Sequence, residues 1–103
     1  MSLTVAPGIV FLEAELTEIC RRYEVRELAV FGSAVRGEMR PDSDVDFLVD
    51  FLPGAQVGLI ELSALKRELS RLAGRRVDLA VKPALKPLIR PAVLAEAHIL
   101  YAA

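Results

Sequence analysis

From Pro7 to about Tyr23 the apolar residues Ile9, Leu12, Leu16, Ile19, Cys20 and Tyr23 recur mostly at intervals of three and four, with Glu13, Glu15, Glu18, Arg21 and Arg22 between them. A helix needs that period to keep one face apolar, so the spacing predicts an amphipathic helix. Leu28 to Phe31 is a short apolar run that stops at Gly32-Ser33, as a buried strand does on entering a tight turn. Over residues 44–51 the period becomes two, with Val45, Phe47, Val49 and Phe51 on one face and Asp44, Asp46, Leu48 and Asp50 on the other. This predicts a second strand whose polar side only Leu48 interrupts. After Pro53-Gly54, Leu59, Leu62, Leu65, Leu69 and Leu72 mark a helix closed by Gly74. Residues 76–81 alternate again, Val77, Leu79 and Val81 facing away from Asp78, and predict a third strand. Lys86 to Ala97 is expected to form a last helix with Pro87 in its first turn, although Pro91 sits awkwardly inside that span.

Composition narrows the class. A chain of 103 residues is expected to form a single domain over 1–103, and 53% hydrophobic with 26% charged residues is enough apolar material for a core. No apolar stretch approaches the ~18 residues that span a bilayer and no secretory signal opens the chain, so a cytoplasmic protein is expected. The single Cys20 has no internal disulfide partner and reads as a buried or half-buried thiol in a reducing compartment. Net charge is -1, but residues 1–50 carry five basic and ten acidic side chains and residues 51–103 carry eight and four. That asymmetry allows an acidic site opposite a basic surface. It makes no strong case for nucleic-acid binding, since no aromatic-rich basic patch is present.

The candidate chemistry lies in Gly32-Ser33-Ala34-Val35-Arg36-Gly37, then Ser43-Asp44-Val45-Asp46, then the distant Asp78. Gly32 lets the backbone turn closely and approach a ligand, while Ser33 offers a hydroxyl and an N–H where a helix starts, a place that favours phosphate oxygens. Asp44 and Asp46, two apart on a strand, project from the same face as hard oxygen ligands for one or two Mg2+ ions. Without a cation the pair repels, which makes it costly as mere structure. Asp78 opposes the apolar residues of its own strand, so pairing of the strands would bring it to the same cluster as a metal ligand, a general base, or both. Arg36 brings a fork of donors suited to phosphate. No Gly-Lys-Ser/Thr phosphate loop and no G-x-G-x-x-G is present, which disfavours P-loop and dinucleotide-binding enzymes.

The runs GSAVRG, SDVDFLV and GRRVDLA together resemble the signature of the polymerase-beta nucleotidyltransferase superfamily, in its short branch of minimal nucleotidyltransferases. The resemblance covers nearly the whole chain and is specific because three separated elements agree in order. It implies an α+β fold, a small mixed β-sheet flanked by helices. It further implies catalytic and Mg2+-binding roles for Asp44, Asp46 and Asp78, with two ions, and nucleotide binding at Gly32, Ser33, Arg36 and Ser43. The chain is also similar to antitoxins encoded with a HEPN-domain ribonuclease toxin, which implies AMP transfer from the nucleotide triphosphate ATP to a tyrosine hydroxyl of that partner.

Simpler readings stand beside these. Asp42 and Asp50 read as solvated surface, Gly37 as turn geometry, and Arg36 as a possible ion-pair residue. Lys66, Arg67, Arg71, Arg75 and Arg76 read as solvating a helix and its exit, His98 as a partly exposed terminal residue, and Tyr101 as an anchor for the carboxy terminus. Two alternatives compete on function. A small molecule or a nucleic acid would be the acceptor for the same chemistry, or the chain would neutralise a partner by binding alone, without catalysis.

Overall fold

The computed structural model describes residues 1–103. The chain opens with a hairpin, β1 (Ser2–Ala6) and β2 (Ile9–Leu12), turning at Pro7-Gly8. Helix α1 (Glu13–Arg22) follows, then β3 (Val25–Phe31), a single-turn helix α2 (Ser33–Arg36) and β4 (Val45–Phe51). Helix α3 (Leu59–Ala73) leads to β5 (Val77–Val81), and a 3-10 turn over Lys82–Ala84 precedes α4 (Arg90–Glu96) and β6 (His98–Ala102). The main sheet has the order β5-β4-β3-β6, with β4 and β5 parallel and the other neighbours antiparallel. This is the mixed sheet with flanking helices that the resemblance implied.

Three elements correct the pattern reading. The helix expected from Pro7 begins only at Glu13, because the residues before it alternate: Ile9 and Phe11 are buried while Val10 and Leu12 are exposed, as in a strand. Ile9 and Leu12 fit the helical period by position alone. The final helix is shorter than Lys86–Ala97. It starts at Arg90, which places Pro91 in its first turn, where a missing N–H costs nothing. The chain then forms an edge strand, β6, which the pattern did not announce, with Tyr101 opposite Leu28 of β3. Gly74 closes α3 in the left-handed conformation (φ 68°), as expected.

Alternation along β3 and β4 feeds two cores of unequal size. Leu28, Val30, Val45, Phe47 and Val49 face α1, α3 and the hairpin within a cluster of 17 buried residues. Phe11 of β2 stacks on Phe47 with ring centroids 6.0 Å apart, which ties the hairpin to the sheet. On the opposite face Ala29 and Leu48 pack under Val93 of α4. Leu48, the one apolar residue on the polar side of its strand, is therefore the seat of α4. Asp50, further along that face, is buried and paired with Arg26 at 2.6 Å, so it is not the solvated surface residue its sequence context suggested.

Cys20 is fully buried, and burial pushes its thiol up to about 12. The native chain is expected to resist an aromatic disulfide reagent at pH 8 and to release one equivalent of thiol only in denaturant. Rapid reaction of the native chain would show that α1 opens readily from the sheet. No helix is long and apolar enough to cross a membrane.

Candidate active site

The site forms where β3 ends and β4 and β5 begin. Asp46 stands opposite Asp78 in the parallel register of β4 and β5, and opposite Phe31 in the antiparallel register with β3. Gly32 follows Phe31 directly, with φ 76° and ψ -146°. A Cβ at that position would fall against the Asp46 carboxylate, 3.2 Å from its Cγ and closer still to Oδ2. Only glycine lets the turn lie against this acid. Asp44 sits just before β4 on the same face, and the following Val45 N–H donates to the Arg76 carbonyl at 3.1 Å. Strand pairing thus brings together residues that lie 32 positions apart in the chain.

The electrostatics follow from this crowding. Burial holds the Asp46 carboxyl above its usual range, and the charges of Asp78 and then Asp44 raise it further, while Arg36 opposes them. Asp44 turns to Arg76, its Oδ1 3.2 Å from Nε, and Asp78 accepts the N–H of its neighbour Leu79 at 3.1 Å. The acids share one end of the sheet but are not gathered into a ready-made metal cluster. Their donor set is nonetheless of the right kind for a divalent cation: hard carboxylate oxygens whose mutual repulsion a cation relieves.

The Gly-Ser turn is held by a residue that the sequence reading missed. Glu96, at the end of α4, accepts the Gly32 N–H at 2.9 Å and pairs with Arg36 Nη1 at 3.0 and 3.1 Å. Nε of Arg36 donates to Glu38 at 2.9 Å, and these bonds, Glu38 first, push the guanidinium further up. Arg36 is therefore the ion-pair residue of the simpler reading, with part of its donor fork left over. Ser33 occupies the first position of α2, and Gly37 ends that helix in the left-handed conformation with φ 71°. The Ser43 hydroxyl accepts the Arg40 N–H at 2.8 Å and shapes the loop before Asp44.

Arg75 does more than solvate the exit of α3. Its Nη2 donates to the carbonyls of Arg40 and Pro41 at 2.8 and 2.6 Å, so it clamps that same loop. Arg76 likewise holds Asp44. No local pattern marks Glu96, Arg75 or Arg76 for these tasks, because their partners lie 32 to 64 positions away.

A sequence model of the nucleotidyltransferase domain matches residues 13–100. The chain belongs to this family. This nucleotidyltransferase is 47% identical over 87 residues to the protein adenylyltransferase MntA of Thermococcus cleftensis, covering 82% of this chain and 84% of that one. A solved structure of a candidate minimal nucleotidyltransferase superposes with a TM-score of 0.70 at 40% identity, covering 84% of this chain and 86% of the other. A toxin-antitoxin complex with AMP-PNP also has a TM-score of 0.70, at 19% identity, covering 88% of this chain and 73% of the other. That last likeness speaks for the fold alone, the α+β architecture that this chain shares with both solved structures.

Proposed function

We propose that this nucleotidyltransferase transfers AMP from ATP to a hydroxyl of a partner protein, a tyrosine of a HEPN ribonuclease toxin, and acts as its antitoxin. The observation that carries the reading is the meeting of Asp46, Asp78 and Gly32 at one end of the sheet, the two acids in register on neighbouring strands. Similarity to an adenylyltransferase that acts on protein supports the choice of nucleotide and acceptor.

In this reading the Gly32-Ser33 turn and the free part of the Arg36 fork take the triphosphate, with the Ser43 O–H available to donate at the neighbouring loop. Asp44 and Asp46, with Asp78, would hold Mg2+, which supplies charge neutralisation at phosphate oxygens and lowers the cost of ionising the acceptor hydroxyl. The acceptor oxygen forms a bond to the α-phosphorus as the bond from that phosphorus to the bridging oxygen breaks, and pyrophosphate leaves. Asp78, exposed at the rim, takes the hydroxyl proton. Asp44 would give up its pair with Arg76 to hold the ion, at small cost because the pair is exposed.

The test combines the purified chain, ATP labelled at the α-phosphate, Mg2+ and the cognate toxin. Label is expected on the toxin and is expected to vanish with chelator. Neutralisation of the toxin without label would overturn transfer in favour of masking, and label on a small molecule or nucleic acid instead would overturn the choice of acceptor.

A further inference from the structure

Helix α2 has only four residues, no side-chain cap at its start, and at its end only the Gly37 N–H donating to the Ser33 carbonyl. A single turn cannot hold itself, since helix nucleation is unfavourable by ~1,000-fold and one turn recovers almost none of that. Something outside must fix its direction, and with it the direction of the Ser33 N–H and hydroxyl relative to Asp46. One side chain reaches both ends: the Glu96 carboxylate accepts the N–H of Gly32, just before the helix, and pairs with Arg36, its last residue. The Glu96 side chain is 24% exposed, and its charge adds to the repulsion on Asp46, a cost that a surface acid elsewhere would avoid.

We infer that Glu96 is a positioning residue for nucleotide binding, setting from α4 the orientation of the Gly-Ser turn and of Arg36 toward the triphosphate. The inference rests on the transfer reading above. Oε1 accepts from both Gly32 and Arg36, so an amide oxygen at that place preserves these two contacts, while the charge is lost and an NH2 donor replaces the oxygen that accepts from Arg36 Nη1 at 3.0 Å. Acid, amide and methyl at position 96 therefore form a graded series. The series separates orientation of the turn from simple support of the fold.

The experiment titrates ATP with Mg2+ into the full chain by calorimetry, without acceptor, and measures kcat and KM for ATP separately with the acceptor, for the natural chain, Glu96→Gln, Glu96→Asp and Glu96→Ala. Glu96→Ala is expected to weaken ATP binding and raise KM about tenfold, or ~1.4 kcal/mol, with a much smaller change in kcat. Glu96→Gln is expected to recover most of that affinity, and Glu96→Asp, one methylene too short, to lose part of it. Should Glu96→Ala fail to fold, the Gln and Asp variants carry the same comparison. Unchanged affinity across the series overturns the inference, and so does tighter binding, which would make Glu96 a competitor of phosphate. Those outcomes leave transfer by the natural chain intact, whereas a natural chain that neither binds ATP nor labels the acceptor removes the transfer reading itself.

Discussion

Asp46→Asn is expected to lower nucleotidyl transfer by about 1,000-fold, the scale on which a preorganised electrostatic group at a reacting phosphate acts, and to raise the melting temperature of the metal-free protein at neutral pH. Both effects have one cause. Burial and the charges of Asp78 and Asp44 disfavour the ionised Asp46 carboxyl in the folded chain, so folding carries a penalty that the neutral amide removes without changing shape. The pH dependence has a definite sign. A carboxyl raised on folding binds its proton more tightly in the native state than in the unfolded one. Its contribution is fully present below the ordinary carboxylate range and is lost as pH rises through the raised folded value. In chelator, melting temperature is therefore expected to fall with rising pH across that window more steeply for the natural chain than for Asp46→Asn. Parallel curves would show that Asp46 is not electrostatically strained, and full activity of Asp46→Asn would remove it from the site.

Gly32→Ala is expected to destabilise the protein and to abolish transfer together. At φ 76° and ψ -146° the backbone lies near a region that side-chain-bearing residues enter only at a cost of about 1–3 kcal/mol. The added methyl also meets the Asp46 carboxylate, so the turn or the acid must move. With roughly 4–8 °C of melting temperature per kcal/mol in a domain of this size, a fall of about 10 °C is expected by calorimetry. Gly37→Ala is the control. Its φ is 71°, but nothing lies within 4 Å of the added atom, so it is expected to cost about 1 kcal/mol of left-handed strain and to leave transfer nearly intact. Equal loss of activity in the two variants would mean that backbone strain alone, and not contact with Asp46, explains the need for glycine at position 32.

Much of the architecture was legible because burial imposes a period. Asp44 to Phe51 and Arg76 to Val81 alternate because each strand has a face in the large core, and α3 repeats its leucines to put Leu65 and Leu69 inside it. The elements misread or missed are those whose pattern is brief or whose partner is remote. Ile9 to Leu12 is too short to separate a period of two from one of three and a half. His98 to Ala102 lies at a sheet edge with much of its surface exposed, so it needed no strict alternation.

The site divides in the same way. Chemistry that resides in residue type and near spacing could be read directly: two aspartates on one strand face, a glycine before a serine, a third aspartate opposite apolar neighbours. Linear order by itself therefore determined the strands β3, β4 and β5, the acids and their shared polar side, because a side chain's face follows from its position parity and its charge from its chemistry. Only the folded arrangement decided that β4 and β5 pair with Asp46 opposite Asp78, and that Asp50 is buried against Arg26. It alone decided that Glu96 reaches back to Gly32 and that Arg75 grips the loop leading to Asp44. Such contacts depend on which distant surfaces pack together, and packing is chosen by the whole core through burial of apolar area, a sum over many residues that no local stretch of the chain records.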